Sequence, residues 1–285
     1  MFRVCAIFVL FFACELSFAG LLREKIQERI SERNSQKSQE ETLEDEGVSE
    51  GQASLPDGVT VERDIAYGSD KKQSFDVYIP KQAKGAPVIF MVHGGAWRLG
   101  DKSSLSVIEH KVARWVPKGF IFISTNYRML PGTDPVAQAK DIARAIAVAQ
   151  AKAGSWGGDS NEFILMGHSA GAHLVALLAT DRTLSSDIVK KPWLGTVALD
   201  SAAYDVVQIM EKPHLRLYDQ AFGSDKQYWK AASPFYALTK KTRPIMAVCS
   251  ARRDDSTAQA RQFASKAASL GVTVTVLEKD FSHPL

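Results

Sequence analysis

The sequence predicts an α/β fold: a mostly parallel sheet of eight strands, helices on both faces and a small lid-like insertion. Three observations carry this. Short β-rich runs recur from residue 56 onward, helical stretches separate most of them, and the inner runs are continuously apolar instead of alternating. Strands buried on both faces by helices have that last property, and strand–helix alternation is the mark of a parallel sheet.

The elements follow in order. Residues 59–66 and 73–79 read as an antiparallel pair. Residues 87–92, 120–125, 163–166, 195–199, 244–249 and 272–277 are short and mostly apolar, as core strands are. Residues 103–116, 136–153, 170–180 and 257–270 have helical composition. Residues 204–238 are less regular and carry Tyr218, Tyr228, Trp229 and Phe235, so they are expected to lie over a site as a small lid or long loop. No internal repeat is visible.

Composition excludes other classes. Of 285 residues, 45% are hydrophobic and 24% charged, which is neither a disordered nor a fibrous balance. The net charge of +3, from 35 basic and 32 acidic residues, gives no reason to expect nucleic acid as a partner, and no basic block grips phosphate. The N-terminus reads as a signal peptide over residues 1–19. Arg3 precedes an apolar stretch, 4–13, too short to span a bilayer, and Ser17-Phe18-Ala19 fits cleavage before Gly20. A secreted or periplasmic protein with no stable membrane span is therefore expected. Cys14 offers a lipoprotein site, but Phe11 stands where an aliphatic residue is usual, so cleavage after Ala19 is preferred. Residues 20–55 are charged and poor in aromatics. Residues 21–30 could form a short amphipathic helix, but 31–55 cannot bury enough apolar area to offset ordering entropy, so the segment reads as a tether. After cleavage only Cys249 remains; it sits in an apolar run and reads as a small core residue.

The strongest chemical signal is Gly167-His168-Ser169-Ala170-Gly171, between the apolar run Phe163-Ile164-Leu165-Met166 and a helical segment. This is the strand–turn–helix context that exposes a nucleophilic serine on a strained turn. The second is His93-Gly94-Gly95-Ala96-Trp97, directly after another strand. The oxyanion formed when a carboxyl ester is attacked needs closely approaching backbone N–H groups. Gly94 and Gly95 permit that approach, and the N–H of Ala170 adds a donor. His93 reads as a residue that shapes the glycine turn, because it precedes the serine. His283 follows the last strand and is the candidate general base; His214 lies in the irregular insertion. The orienting acid belongs after the preceding strand, where Asp254 and Asp255 both qualify and Asp255 is preferred.

With these motifs the chain resembles the α/β-hydrolase superfamily over residues 56–285, specifically its esterase/lipase branch with an H-G-G-x-W loop. Hormone-sensitive-lipase-type esterases, feruloyl-esterase-like proteins and kynurenine formamidases are similar. Asn126-Tyr127-Arg128 and Gly157-Gly158-Asp159 belong to the same ordered pattern. The resemblance implies a serine esterase acting on small carboxylic esters through an acyl-enzyme, without metal or organic cofactor. Trp97, His168 and Tyr127 are then expected substrate contacts. Ala96-Trp97 replaces a third glycine, which leans toward the formamidase-like and feruloyl-esterase-like members and keeps an N-formyl arylamine open as substrate. Relatives carry a further helix after the histidine, whereas this chain stops at Leu285, which reads as a fragment or as a natural end that leaves His283 less firmly held. The reading from another class is an inactive hydrolase fold used for binding.

Overall fold

The computed structural model describes residues 55–281, together with Lys25 and Gln27, which are helical. The expected signal peptide, nearly all of the expected tether, and His283 lie outside the described residues. The chain divides into units 1–42 and 43–285. The second unit carries the sheet and both glycine motifs.

Eight strands form one sheet: β1 (Thr60–Ala66), β2 (Ser74–Ile79), β3 (Ala86–Val92), β4 (Ile121–Thr125), β5 (Gly158–His168), β6 (Gly195–Leu199), β7 (Ile245–Ser250) and β8 (Val274–Lys279). Their order is β1-β2-β4-β3-β5-β6-β7-β8. β2 pairs antiparallel with β1 and β4, and all pairings from β4 to β8 are parallel. The chain thus leaves β3 toward one edge of the sheet and leaves β5, its neighbour, toward the other. Open α/β sheets bind ligands at such a switch point, outside the carboxyl ends of the strands. The two glycine motifs follow β3 and β5.

The central strands are as apolar as expected. Val88, Phe90 and Val92 of β3, Ile121 and Ile123 of β4, and Phe163 and Leu165 of β5 are buried. β5 begins five residues earlier than its apolar run. Gly158 pairs with Ala86, but the intervening Asp159, Ser160, Asn161 and Glu162 are polar, so hydrophobicity gives no sign of this stretch.

Four long helices cover the sheet: α1 (Leu105–Trp115), α2 (Pro135–Lys152), α3 (Ala170–Thr180) and α8 (Asp254–Ser269). Pro135 opens α2 at a position that needs no N–H, and the Asp134 carboxylate accepts from Val136 N and Ala137 N. Every residue of α3 is buried, so it has no solvent face, and its polar His173 and Thr180 are hydrogen-bonded. α8 starts three residues before the helical composition suggested, which puts Asp254 and Asp255 in its first turn, where negative charge is favourable. The insertion folds into four short helices: α4 (Val206–Met210), α5 (Arg216–Phe222), α6 (Lys226–Ala231) and α7 (Pro234–Ala237). Its Leu217, Phe222 and Trp229 join the same apolar cluster as Trp97, Ala170 and Leu174.

Candidate active site

Ser169 stands at the junction of β5 and α3 with φ 50° and ψ −115°. A non-glycine residue with positive φ costs of order 1–3 kcal/mol and persists only where its surroundings enforce it. Two contacts do so. Ser169 N donates to Leu199 O at 2.8 Å, which ties the turn to β6. Gly171 lets α3 press against the end of β3. A Cβ there would lie 2.5 Å from His93 O and closer still to Val92 O.

The loop after β3 lies against this turn. A Cβ on Gly94 would come within 3.1 Å of Ser169 Cβ and 3.0 Å of His168 O. Among the described residues, no acceptor takes the Gly94 or Gly95 N–H. Ala170 opens α3, where an N–H has no partner within the helix. Ser169, Gly94, Gly95 and Ala170 are thus gathered at the switch point.

The loop keeps its shape through strain and tethers. Gly95, Ala96 and Trp97 all have positive φ, at 103°, 49° and 61°. Trp97 O accepts from Leu130 N at 3.0 Å and from Gln138 Nε2 at 2.8 Å. Tyr127 Oη donates to His93 O at 3.1 Å, and its ring stacks on His93 at 4.6 Å. Farther along, Lys102 N donates to Asn126 Oδ1 and Asn126 Nδ2 donates to Asp101 Oδ2. The Asn126-Tyr127 pair therefore clamps both ends of the loop.

Of the expected substrate contacts, Tyr127 is 0% exposed and Trp97 only 3%, and their hydrogen bonds to His93 O and His173 brace the loop. His93 is likewise buried. Its Nδ1–H donates to Gly94 O at 2.7 Å, and burial pushes the imidazole down to about 4. A side chain so placed shapes the turn, as the sequence suggested. His168 closes β5 beside Gly94, with its Nδ1 3.3 Å from where a Gly94 Cβ would be.

The acid candidates lie beyond β7. Asp255 Oδ2 accepts from Arg253 Nη2 at 2.9 Å. It also stands close enough to help raise the hydroxyl of half-buried Tyr218 to about 12, where loss of solvent is the larger cause. Tyr218 in turn packs 5.9 Å from Trp97, so Asp255 lies on the side of the insertion that meets the glycine loop. No described side chain bonds Asp254. His283 falls outside the described residues, but the chain leading to it is anchored nearby: Ser250 Oγ donates to Phe281 O, and Ala251 N donates to Lys279 O.

Sequence reasoning missed two buried side chains that organise these parts. Asp200, at φ 54° just past β6, accepts from Ser250 N, Ser256 Oγ and Arg253 Nη1, and so fixes the start of α8, whose first turn carries Asp254 and Asp255. An aspartate directly after an apolar strand was its only signal. His173, on the first turn of α3, accepts the Trp97 indole N–H on Nδ1 at 3.1 Å and donates from Nε2 to Ala232 O at 2.7 Å. Its place four residues after Ser169 was readable, but its partners are distant in sequence.

Comparison with known proteins places the chain in a family and agrees with this fold. Residues 75–266 match the BD-FAE family model. A probable isoprenylcysteine alpha-carbonyl methylesterase of Oryza sativa subsp. japonica is 34% identical over 115 residues, 40% of this chain and 27% of that one. Esterase LipQ of Mycobacterium tuberculosis is 30% identical over 240 residues, 77% of this chain and 56% of that one. The chain thus spans less than two thirds of the length of either relative. The crystal structure of Esterase B from Lactobacillus rhamnosis superposes with a TM-score of 0.66 at 19% identity, covering 93% of this chain and 84% of that one, a likeness of fold. With the family model covering most of the chain and an eight-stranded sheet of the same architecture, the chain belongs to the BD-FAE family, in the esterase branch of the α/β-hydrolases.

Proposed function

We propose that this protein is a secreted or periplasmic serine hydrolase that cleaves small carboxylic esters. The observation that carries the reading is the strained Ser169 at the strand–helix junction, with Gly94 pressed against it. His283 takes the Ser169 hydroxyl proton as Oγ bonds to the ester carbonyl carbon, and the carbonyl electron pair moves to oxygen. The N–H groups of Gly94, Gly95 and Ala170 hold that oxyanion, each worth about 3–4 kcal/mol in the transition state. Collapse breaks the bond to the alkoxide, which takes the proton from His283. Water, deprotonated by the same imidazole, then splits the acyl-enzyme. Asp255 accepts the other imidazole N–H and fixes its tautomer. No cofactor enters the scheme.

The replacement of a third glycine by Ala96-Trp97 favours a second reading, hydrolysis of N-formyl arylamines by the same residues. A p-nitrophenyl ester series from acetate to octanoate, assayed beside N-formylkynurenine, separates the two. Ester hydrolysis predicts at least tenfold higher kcat/KM on a short ester. The opposite ranking selects the formamidase reading, and turnover of neither refutes both in favour of a binding protein.

A further inference from the structure

His173 lies where three parts of the molecule meet. It belongs to the first turn of α3, and its N–H bonds back to Ser169 O at 3.1 Å. Its Nδ1 takes the indole N–H of Trp97, and its Nε2–H goes to Ala232 O in the insertion. The two bonds fix one neutral tautomer, acceptor at Nδ1 and donor at Nε2. The ring is wholly buried and packs edge-on to Trp97 and Phe222 at 5.5 and 5.6 Å.

Trp97 needs such a partner. Its backbone and that of Ala96 occupy the left-handed region, where a side-chain-bearing residue is disfavoured. Its carbonyl is held by Leu130 and Gln138, and the indole bond to His173 is the one that ties it to the nucleophile's own helix. Gly95 and Gly94 lie two and three residues back along the same short loop, Gly94 against Ser169, and their N–H groups are the oxyanion donors of the proposed mechanism. An error there of a fraction of an ångström changes oxyanion stabilisation.

We propose that His173 is a positioning residue for the ester reaction: through the Trp97 indole it sets the place of the Gly94–Gly95 N–H groups relative to Ser169. The inference rests on the reading of the site as a serine hydrolase, and one arm of its test does not.

Asparagine and glutamine substitutions divide the ring's two bonds between them. His173→Asn places an amide oxygen near the position of Nδ1, where it can accept from Trp97. The longer side chain of His173→Gln reaches toward Ala232 O and loses the indole. Trp97→Phe keeps an aromatic ring and removes the N–H. Trp97→Phe and His173→Gln are expected to lower kcat on p-nitrophenyl acetate by tens of fold with KM within about twofold, part of the roughly 10²–10³-fold that a lost oxyanion donor costs. His173→Asn is expected to recover most of kcat. The double variant Trp97→Phe/His173→Gln should be no slower than either single, because both break one linkage. Amide hydrogen exchange of residues 93–100, read without any substrate, should quicken in Trp97→Phe and His173→Gln and stay near wild type in His173→Asn. Equal kcat loss in the asparagine and glutamine variants, multiplied losses in the double, or unchanged loop exchange in Trp97→Phe would each overturn the proposal. If the wild type hydrolyses neither esters nor formamides, the functional reading fails and the exchange arm still decides the linkage.

Discussion

Two alanine substitutions, at Gly171 and Gly94, should fail in different ways. At Gly171 a Cβ would meet two backbone carbonyl oxygens, those of Val92 and His93, with the latter at 2.5 Å. That is nearly an ångström short of ordinary contact, and neither oxygen can move without shifting β3 against α3. Overpacking of this kind costs typically 1–3 kcal/mol, and two fixed oxygens put this site at the upper end, about 3 kcal/mol. Gly171→Ala should therefore lower Tm by about 6–12 °C, at roughly 2–4 °C per kcal/mol for a domain of this size. At Gly94 a Cβ would sit 3.0 Å from His168 O and 3.1 Å from Ser169 Cβ. A few tenths of an ångström relieve that contact, so Gly94→Ala should shift Tm by no more than about 2 °C. The new methyl would nevertheless stand beside Ser169 and displace the Gly94 N–H, so under the proposed mechanism kcat on p-nitrophenyl acetate should fall on the order of 10²-fold. Scanning fluorimetry and steady-state kinetics on both variants provide the check. A Gly171→Ala protein that melts with wild type, or a Gly94→Ala protein with kcat within twofold, would refute the argument that these two contacts set the spacing of loop and elbow.

Other perturbations test separate parts. Asp255→Asn should cost orders of magnitude in kcat and Asp254→Asn little, since Asp255 is held by Arg253 and lies near Tyr218 of the insertion, whereas no described side chain bonds Asp254; the reverse ranking reassigns the acid. His93 and His173 are both pushed down to about 4 by burial, which favours their neutral forms in the folded state. Their contribution to stability is complete above the unfolded value near 6.5 and is lost as pH falls from there toward 4, at up to about 3 kcal/mol each. Urea titrations at pH 7.5, 5.5 and 4.5 should show that loss, and a flat profile would contradict the buried, neutral assignment. Tyr127→Phe removes the hydrogen bond to His93 O and should cost about 1 kcal/mol and a few degrees of Tm; a larger loss of kcat than of stability would show that the clamp acts on the loop.

Much of this architecture is legible in the sequence. The apolar strands and the two glycine motifs are local signals, because a strand buried on both faces and a turn that tolerates no side chain each restrict the residues that can stand there. The polar start of β5 is hidden because Asp159 to Glu162 carry no apolar signal, and only the pairing of Gly158 with Ala86 marks them as strand. The orientation of Trp97 and Tyr127 is hidden for a different reason. An aromatic after a glycine loop can face the cleft or the core, and only partners far along the chain, Gln138 and His173 for one and His93 for the other, decide it. Asp200 and His173 escape notice because their partners come from β7, α8, the oxyanion loop and the insertion, which only the folded sheet brings together.

Ser169 as the acyl-accepting nucleophile is the claim on which the rest depends. A p-nitrophenyl alkylphosphonate tests this directly, because attack on phosphorus expels one p-nitrophenolate and leaves a stable adduct on the attacking oxygen. Intact-mass and peptide analysis should find a single adduct per chain, on the peptide containing Ser169, with one equivalent of p-nitrophenolate released and esterase turnover abolished in step. Ser169→Ala should fold, melt within a few degrees of wild type and take up none. Labelling at another residue, or equal labelling of the Ser169→Ala protein, would contradict the account.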